Sequence, residues 1–353
     1  MTRTSAPNKT DFGFCLPIFA NPGVPYFRTP NYEHLGWKEL KESIQLTESL
    51  GYDSVFVADH LLLGNEGAIW ECWTILSAIA GFTERLKLAP IHLCDSFRNP
   101  ALMAKMIATL DHVSNGRYIH FYDFGWRKKE FDQYGYYFDD VEERIKRMDE
   151  GLTMIKGMLR GSPFSFSGKY YSVHEVICRP TPIAGKVPIW MGEANHPTMV
   201  SSIVKHADTF NSMPVSLQGF KDKLEILYAE CDRQGRDRNS INLSLETQVL
   251  IVDSEAEIQK IFEAYRKLKS KNKTEDQDIL EQLFAVNPGL ENYNNIDHLR
   301  EEFMIGTVAQ LKDTIQAFVD LGVDHFMLWF MDYPGHQSLN RFAKEVMPEF
   351  SGK

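Results

Sequence analysis

The 353-residue chain reads as an α/β protein, and more narrowly as a TIM (β/α)8 barrel with insertions, on three observations. Short β-branched or aromatic runs alternate with segments of helical apolar spacing along the whole chain. Eight such units can be counted, and no shift in composition between them marks a linker. Two doubly wound sheets are the alternative for a chain this long, but one barrel domain over 1–353 accounts better for the repeated units.

The first unit is a strand within 11–19, ended by Asn21-Pro22-Gly23, and a helix through Leu40, Ile44 and Leu50 that stops at Gly51. The second pairs the strand 53–60 with a helix through Trp73, Leu76 and Ile79. The third is a strand over 86–94 and a helix over 100–113, opened by Pro100 and closed at Asn115-Gly116. The fourth is a strand over 117–124 and a helix over 141–159. Three prolines and the aromatic run Phe164 to Tyr171 then interrupt the rhythm, so 162–186 is expected to be an inserted hairpin. Strands at 187–191, 208–212 and 243–252 follow, each with a helix, and the last unit is the strand 324–330 with the helix 339–346. Residues 270–304, charged and Asn-rich around Pro288-Gly289, are expected to be a second insertion over one mouth of the barrel: a lid, or a solvated excursion.

Composition excludes several classes of function. Lys and Arg number 38 against 48 Asp and Glu, a formal net charge of −10, which disfavours nucleic acid and anionic membrane surfaces. The longest apolar stretches fall short of the roughly 18–20 residues that span a bilayer, and residues 1–10 lack the apolar segment of a secretory signal, so a cytoplasmic protein is expected. Five scattered cysteines (15, 72, 94, 178 and 231) suggest reduced core thiols rather than disulfides or a zinc site, and no metal is expected. There is no phosphate loop of the Gly-Lys-Ser/Thr type, no Gly-x-Ser-x-Gly turn and no His-Glu-x-x-His helix.

In such a barrel the reactive groups sit at the C-terminal ends of strands. The second strand ends in Asp59-His60, where an imidazole can act as acid, base or donor near neutral pH, or simply serve the structure. The third carries His92 and Cys94, and the fourth His120, Tyr122 and Asp123 before Gly125 and Trp126. After the fifth, Gly192-Glu193-Ala194-Asn195-His196-Pro197-Thr198 leads into a helix whose free N–H groups suit a phosphate. Taken alone, any βα turn needs such residues.

Six stretches together resemble the bacterial luciferase-like monooxygenase family: Leu50 to His60; Glu71-Cys72-Trp73-Thr74; Leu110 to Arg117; Gly125-Trp126 with Glu130-Phe131; Pro188 to Gly192; and Gly322 to Phe326. The resemblance runs from Phe12 to Pro348 and implies an α/β barrel. It further implies reduced FMN, supplied by a separate flavin reductase, that reacts with O2 to a C4a-hydroperoxide and oxygenates a small molecule. His60 falls on the family's strand-end histidine and is the first catalytic candidate, with Asp123 the second. Gly192, Glu193, Ala194, Asn195, His196 and Thr198 fall on the loop that holds the flavin phosphate. Asp59, Ala89, Pro90, Asn99, Tyr122, Gly125, Trp126 and Arg144 fall at or near the remaining cofactor positions.

Two departures stand out. Phe121 and Asp123 occupy places where the family commonly has glycine, so they reshape the pocket, pack elsewhere, or close the flavin site. Pro90 stands where a small hydroxyl residue is common. Two further readings follow from the resemblance: hydride transfer on the deazaflavin coenzyme F-420, and a noncatalytic partner subunit. A homodimer or homotetramer is also expected from it.

Overall fold

The computed structural model describes residues 9–20, 36–192, 196–267 and 296–352. Eight parallel strands form the barrel: β1 (Asp11–Leu16), β2 (Ser54–Ala58), β3 (Lys87–Ile91, resumed after His92 as Leu93–Cys94), β4 (His120–Asp123), β5 (Ile189–Gly192), β6 (Thr209–Ser212), β7 (Asn242–Ile251) and β8 (Val323–Phe330). They pair in the order β3-β2-β1-β8-β7-β6-β5-β4. Leu93 and Cys94, lying beside Tyr122 and Asp123 of β4, close the ring together with a bridge from Leu88 to Tyr118. These are the eight strands that the alternation of apolar runs predicts.

Buried apolar strands need helices on their outer faces, and β2 shows why: all five of its residues are buried. The covering helices include α1 (Trp37–Ser49), α2 (Cys72–Ala80), α3 (Pro100–Val113), α4 (Lys128–Tyr134), α5 (Val141–Met158), α6 (Pro197–His206) and α7 (Leu217–Gln234). In α5 the stripe Ile145, Met148, Leu152 and Ile155 is fully buried, each side chain contributing about 1.5–3 kcal/mol of burial. Asp140 begins this helix by accepting the Glu143 amide at 2.9 Å. Asn115 and Gly116 end the α3 segment at φ of 57° and 78°, a left-handed turn that Asn and Gly tolerate.

After α5, Phe164–Ser167 and Ser172–Val176 pair antiparallel. The Glu150 carboxylate of α5 closes their turn by accepting the amides of Lys169, Tyr170 and Tyr171 at 2.9, 2.8 and 2.7 Å. Of the second expected insertion, residues 270–295 lie outside the described residues. Its end belongs to the sheet: Met304–Gly306 runs parallel to residues 249–251 of β7.

The interior is a packed core. Phe56 of β2 and Trp190 of β5 are not on neighbouring strands, yet their rings lie 5.7 Å apart, so they meet across the barrel axis. His325 sits 4.9 Å from Trp190, and its Nε2 lies 2.8 Å from Ser54 Oγ. Burial pushes this histidine down to about 3, so it is neutral. Alternate residues of a strand face opposite sides, so residues in register with Phe56 and Trp190 also point inward: Ala89, Phe121, Gly192 and Asn211. All five cysteines are buried and unpaired. Among the described residues no helix is long and apolar enough to cross a membrane.

Candidate active site

At the end of β2, Asp59 and His60 turn to different partners. The Asp59 carboxylate receives both guanidinium nitrogens of Arg98 at 2.8 Å and the Cys94 amide at 2.9 Å. Arg98 also reaches Glu71 at 2.7 Å, and Glu71 caps α2 through the amides of Trp73 and Thr74. Burial works against the Arg98 charge, but the Asp59 carboxylate more than restores it and holds the guanidinium above its ordinary pKa. Asp59 therefore joins β2 to β3 and α2.

The Nδ1 of His60 lies 2.9 and 3.0 Å from the two oxygens of Glu130 on α4. Glu130 is buried, accepts the Leu62 amide at 3.1 Å and lies 3.5 Å from Arg127. The Trp126 ring stands edge-on to the imidazole at 5.5 Å. A carboxylate at Nδ1 favours the proton there, which leaves Nε2 for a ligand. Sequence reading placed Glu130 in a matching stretch without giving it a role. Its signal is a carboxylate beside Phe131 on a short helix that must bury that face.

The alternation along β4 sorts its residues. His120 and Tyr122 face the helices. Burial lowers His120 to about 3, and the Tyr122 hydroxyl donates to Asp95. Tyr171 of the hairpin donates to the other Asp95 oxygen at 3.1 Å. Burial pushes Asp95 up to about 6 despite these two donors. Phe121 faces inward, fully buried, 4.3 Å from the His92 ring and 5.9 Å from Trp190. Asp123, two residues nearer the mouth, accepts the Phe124 amide at 2.7 Å and lies 3.7 Å from His92 Nδ1. The two positions that depart from family glycines thus differ: Phe121 packs the core and Asp123 lies at the strand end.

Gly125 has φ of 73°, and a Cβ there would lie 2.5 Å from Cys94 Sγ, so only glycine fits the turn. Its carbonyl accepts from Arg144, whose guanidinium is buried over the rings of Phe138 (4.0 Å) and Phe124 (5.3 Å). Burial lowers the Arg144 pKa. Pro90 pairs with Val57 on the outer face, opposite to Ala89. Asn99 caps α3 through the Ala101 amide at 2.9 Å. His196 caps α6, its Nδ1 accepting the Thr198 amide at 3.3 Å. Glu193, Ala194 and Asn195 lie outside the described residues.

On the far wall, Trp329 Nε1 donates to Glu246 at 2.8 Å. Buried Asn211, Ser244 and Gln248 carry polar atoms with no protein partner, as does His92 at Nε2. This end of the barrel therefore combines a histidine with a free nitrogen, an aromatic floor and, along the inner wall, unpartnered hydrogen-bonding groups, the makings of an enzyme site.

The comparisons agree with that class. The chain belongs to the luciferase-like monooxygenase family, which it matches over residues 10–325, and it is an oxidoreductase of that family. It is 28% identical over 331 residues to an F420-dependent glucose-6-phosphate dehydrogenase of Microbacterium testaceum (strain StLB037), covering 90% of this chain and 94% of that one. To an FMNH(2)-dependent dimethylsulfone monooxygenase of Pseudomonas putida it is 25% identical over 291 residues, covering 79% and 78%. In fold it is similar to the EDTA monooxygenase of Chelativorans sp. BNC1, with a TM-score of 0.76 at 18% identity, covering 97% of this chain and 93% of that one.

Proposed function

We propose that this chain is a flavin-dependent monooxygenase that takes reduced FMN from a separate reductase and uses O2 to oxygenate a small organic substrate at the barrel mouth. The observation that carries this reading is His60, held at Nδ1 by Glu130, braced by Trp126 and uncommitted at Nε2. The residues fit a flat heterocycle: Phe121 and Trp190 form an aromatic floor, and His92 Nε2 and Gln248 Oε1 await partners. Bound there, the reduced flavin supplies the two electrons.

The chain's own groups supply the rest. Glu130 keeps Nδ1 protonated, so Nε2 is the atom that accepts or returns a proton at the reacting molecule. Gly125 and Trp126 would flank such a ring, Ala89 stands buried on the same inner face as Phe56, and Gly192 leaves space that a side chain would take against Phe121. The phosphate would be held at the start of α6 by the loop that contains residues 193–195 together with the His196 and Thr198 side chains, the Thr198 amide being taken by His196. Asp123 is the second polar contact. Asp59, Pro90, Asn99, Tyr122 and Arg144 act through the framework, given the contacts above.

Hydride transfer on the deazaflavin F-420 is the second reading, supported by the Microbacterium relative that matches 90% of this chain. Anaerobic titration with reduced FMN and with F-420, then mixing with isotopically heavy O2 and a panel of small substrates, separates them. Heavy oxygen in a product, lost in a folded His60→Ala variant, is the expected result. Substrate turnover with F-420 without oxygen moves the function to the second reading. Binding of neither cofactor moves it to a noncatalytic partner.

A further inference from the structure

One wall of the barrel carries hydrogen-bonding groups that the protein leaves unused. Asn211 of β6 is fully buried, and neither its Oδ1 nor its Nδ2 has a partner. In register beside it on β7, Ser244 is fully buried with an unpartnered hydroxyl, and Gln248, on the same face nearer the mouth, has an unpartnered Oε1. Native proteins rarely leave such groups unsatisfied without a reason. All three share the inner face with Trp190, since Gly192 lies in register with Asn211 and Asn211 with Ser244.

The free groups define their complement. A carboxamide offers a donor and an acceptor side by side in one plane. It matches another planar edge with an N–H beside a C=O or ring nitrogen, as Asn and Gln match a nucleobase edge. The same wall carries the buried Glu246, and none of β5, β6 or β7 contains Lys or Arg, so an anion would find no counter-charge on these strands. We propose that Asn211, with Ser244 beside it, is the receptor for a neutral planar cis-amide edge, borne by a cyclic amide substrate or by the pyrimidine portion of the cofactor ring. Only the second source rests on the flavin reading above.

The test is calorimetric titration of the cofactor-free full chain with uracil, 1,3-dimethyluracil, FMN and F-420, for the natural protein, Asn211→Leu, Asn211→Asp and Ser244→Ala. Asn211→Leu is expected to weaken the ligand that bears the edge by at least about tenfold, and Ser244→Ala to weaken the same ligand less. Asn211→Asp keeps the shape but loses the donor, and it gives the same direction of change if the leucine variant fails to fold. Uracil binding that is lost on N-methylation and in the Asn211 variants assigns the edge to a substrate. A loss confined to FMN or F-420 assigns it to the cofactor. FMN or F-420 affinity indifferent to Asn211, with no uracil binding, overturns this inference and leaves the proposed function standing. Asn211-dependent uracil binding with no binding of either cofactor does the reverse. Absence of binding by all four compounds overturns both.

Discussion

Asp59 and His60 are neighbours, and each meets a charged side chain from another element, yet the two pairs are built for different ends. Both oxygens of Asp59 are used, by Arg98 and the Cys94 amide, and the group that uses them is itself tied to the cap of α2. His60 has one nitrogen held by Glu130 and the other left toward the mouth. A buried pair saturated on every atom is framework. A pair that leaves one polar atom uncommitted at a strand end can act on something else.

Substitution at the two pairs should give crossed effects. His60→Ala should lower kcat/KM about 10²- to 10⁴-fold, the usual range for a general acid or base, while costing only about 1–2 kcal/mol of stability, because Glu130 retains Leu62 N and Arg127. Arg98→Ala strands a buried carboxylate and should cost about 3–5 kcal/mol in urea unfolding. Equal stability losses for the two variants would erase the distinction. Glu130→Gln keeps a hydrogen-bonding group but removes its charge. A rate loss on the order of 10²-fold is expected with a displaced pH–rate profile and a near-natural melting temperature; an unmoved profile would reduce Glu130 to packing.

The Asp95 brace behind β4 offers a smaller effect. Its folded pKa of about 6 lies above the ordinary value of 3.8, so the folded state binds the proton more tightly. The contribution is fully present below about pH 3.8 and is lost as pH rises through about 6. Relative to Asp95→Asn, the natural protein should therefore lose roughly 1–3 kcal/mol between pH 4 and pH 7 in denaturation, and a constant difference would refute the linkage. The smallest expected change is at Asn99: Asn99→Ala should cost about 1 kcal/mol as a lost helix cap and leave turnover unchanged, and a large fall in activity would return it to the site.

Local pattern made much of the molecule legible. The eight strands needed only apolar runs and helical spacing, and the end of α3 was written in Asn115-Gly116. The strand end drew attention to His60, and the family resemblance made it the first catalytic candidate. The site residues divided on information that lies outside any single stretch. Tyr122 and Asp123 are adjacent in sequence, and the phase of β4 sends one toward Asp95 and the other toward the barrel interior.

Sequence alone therefore determined the class of fold, the order of its units, the family and the strand end where His60 stands, because each depends on residues close together in the chain. Only the tertiary structure decided which charges are spent and which are free. Glu130 meets His60 across 70 residues, and Arg98 meets Asp59 across 39. Asn211 and Ser244, 33 positions apart, come together through the register of β6 and β7. Pairing of this kind is set by how the ring of strands closes, and that closure joins residues whose spacing along the chain carries no periodic signal.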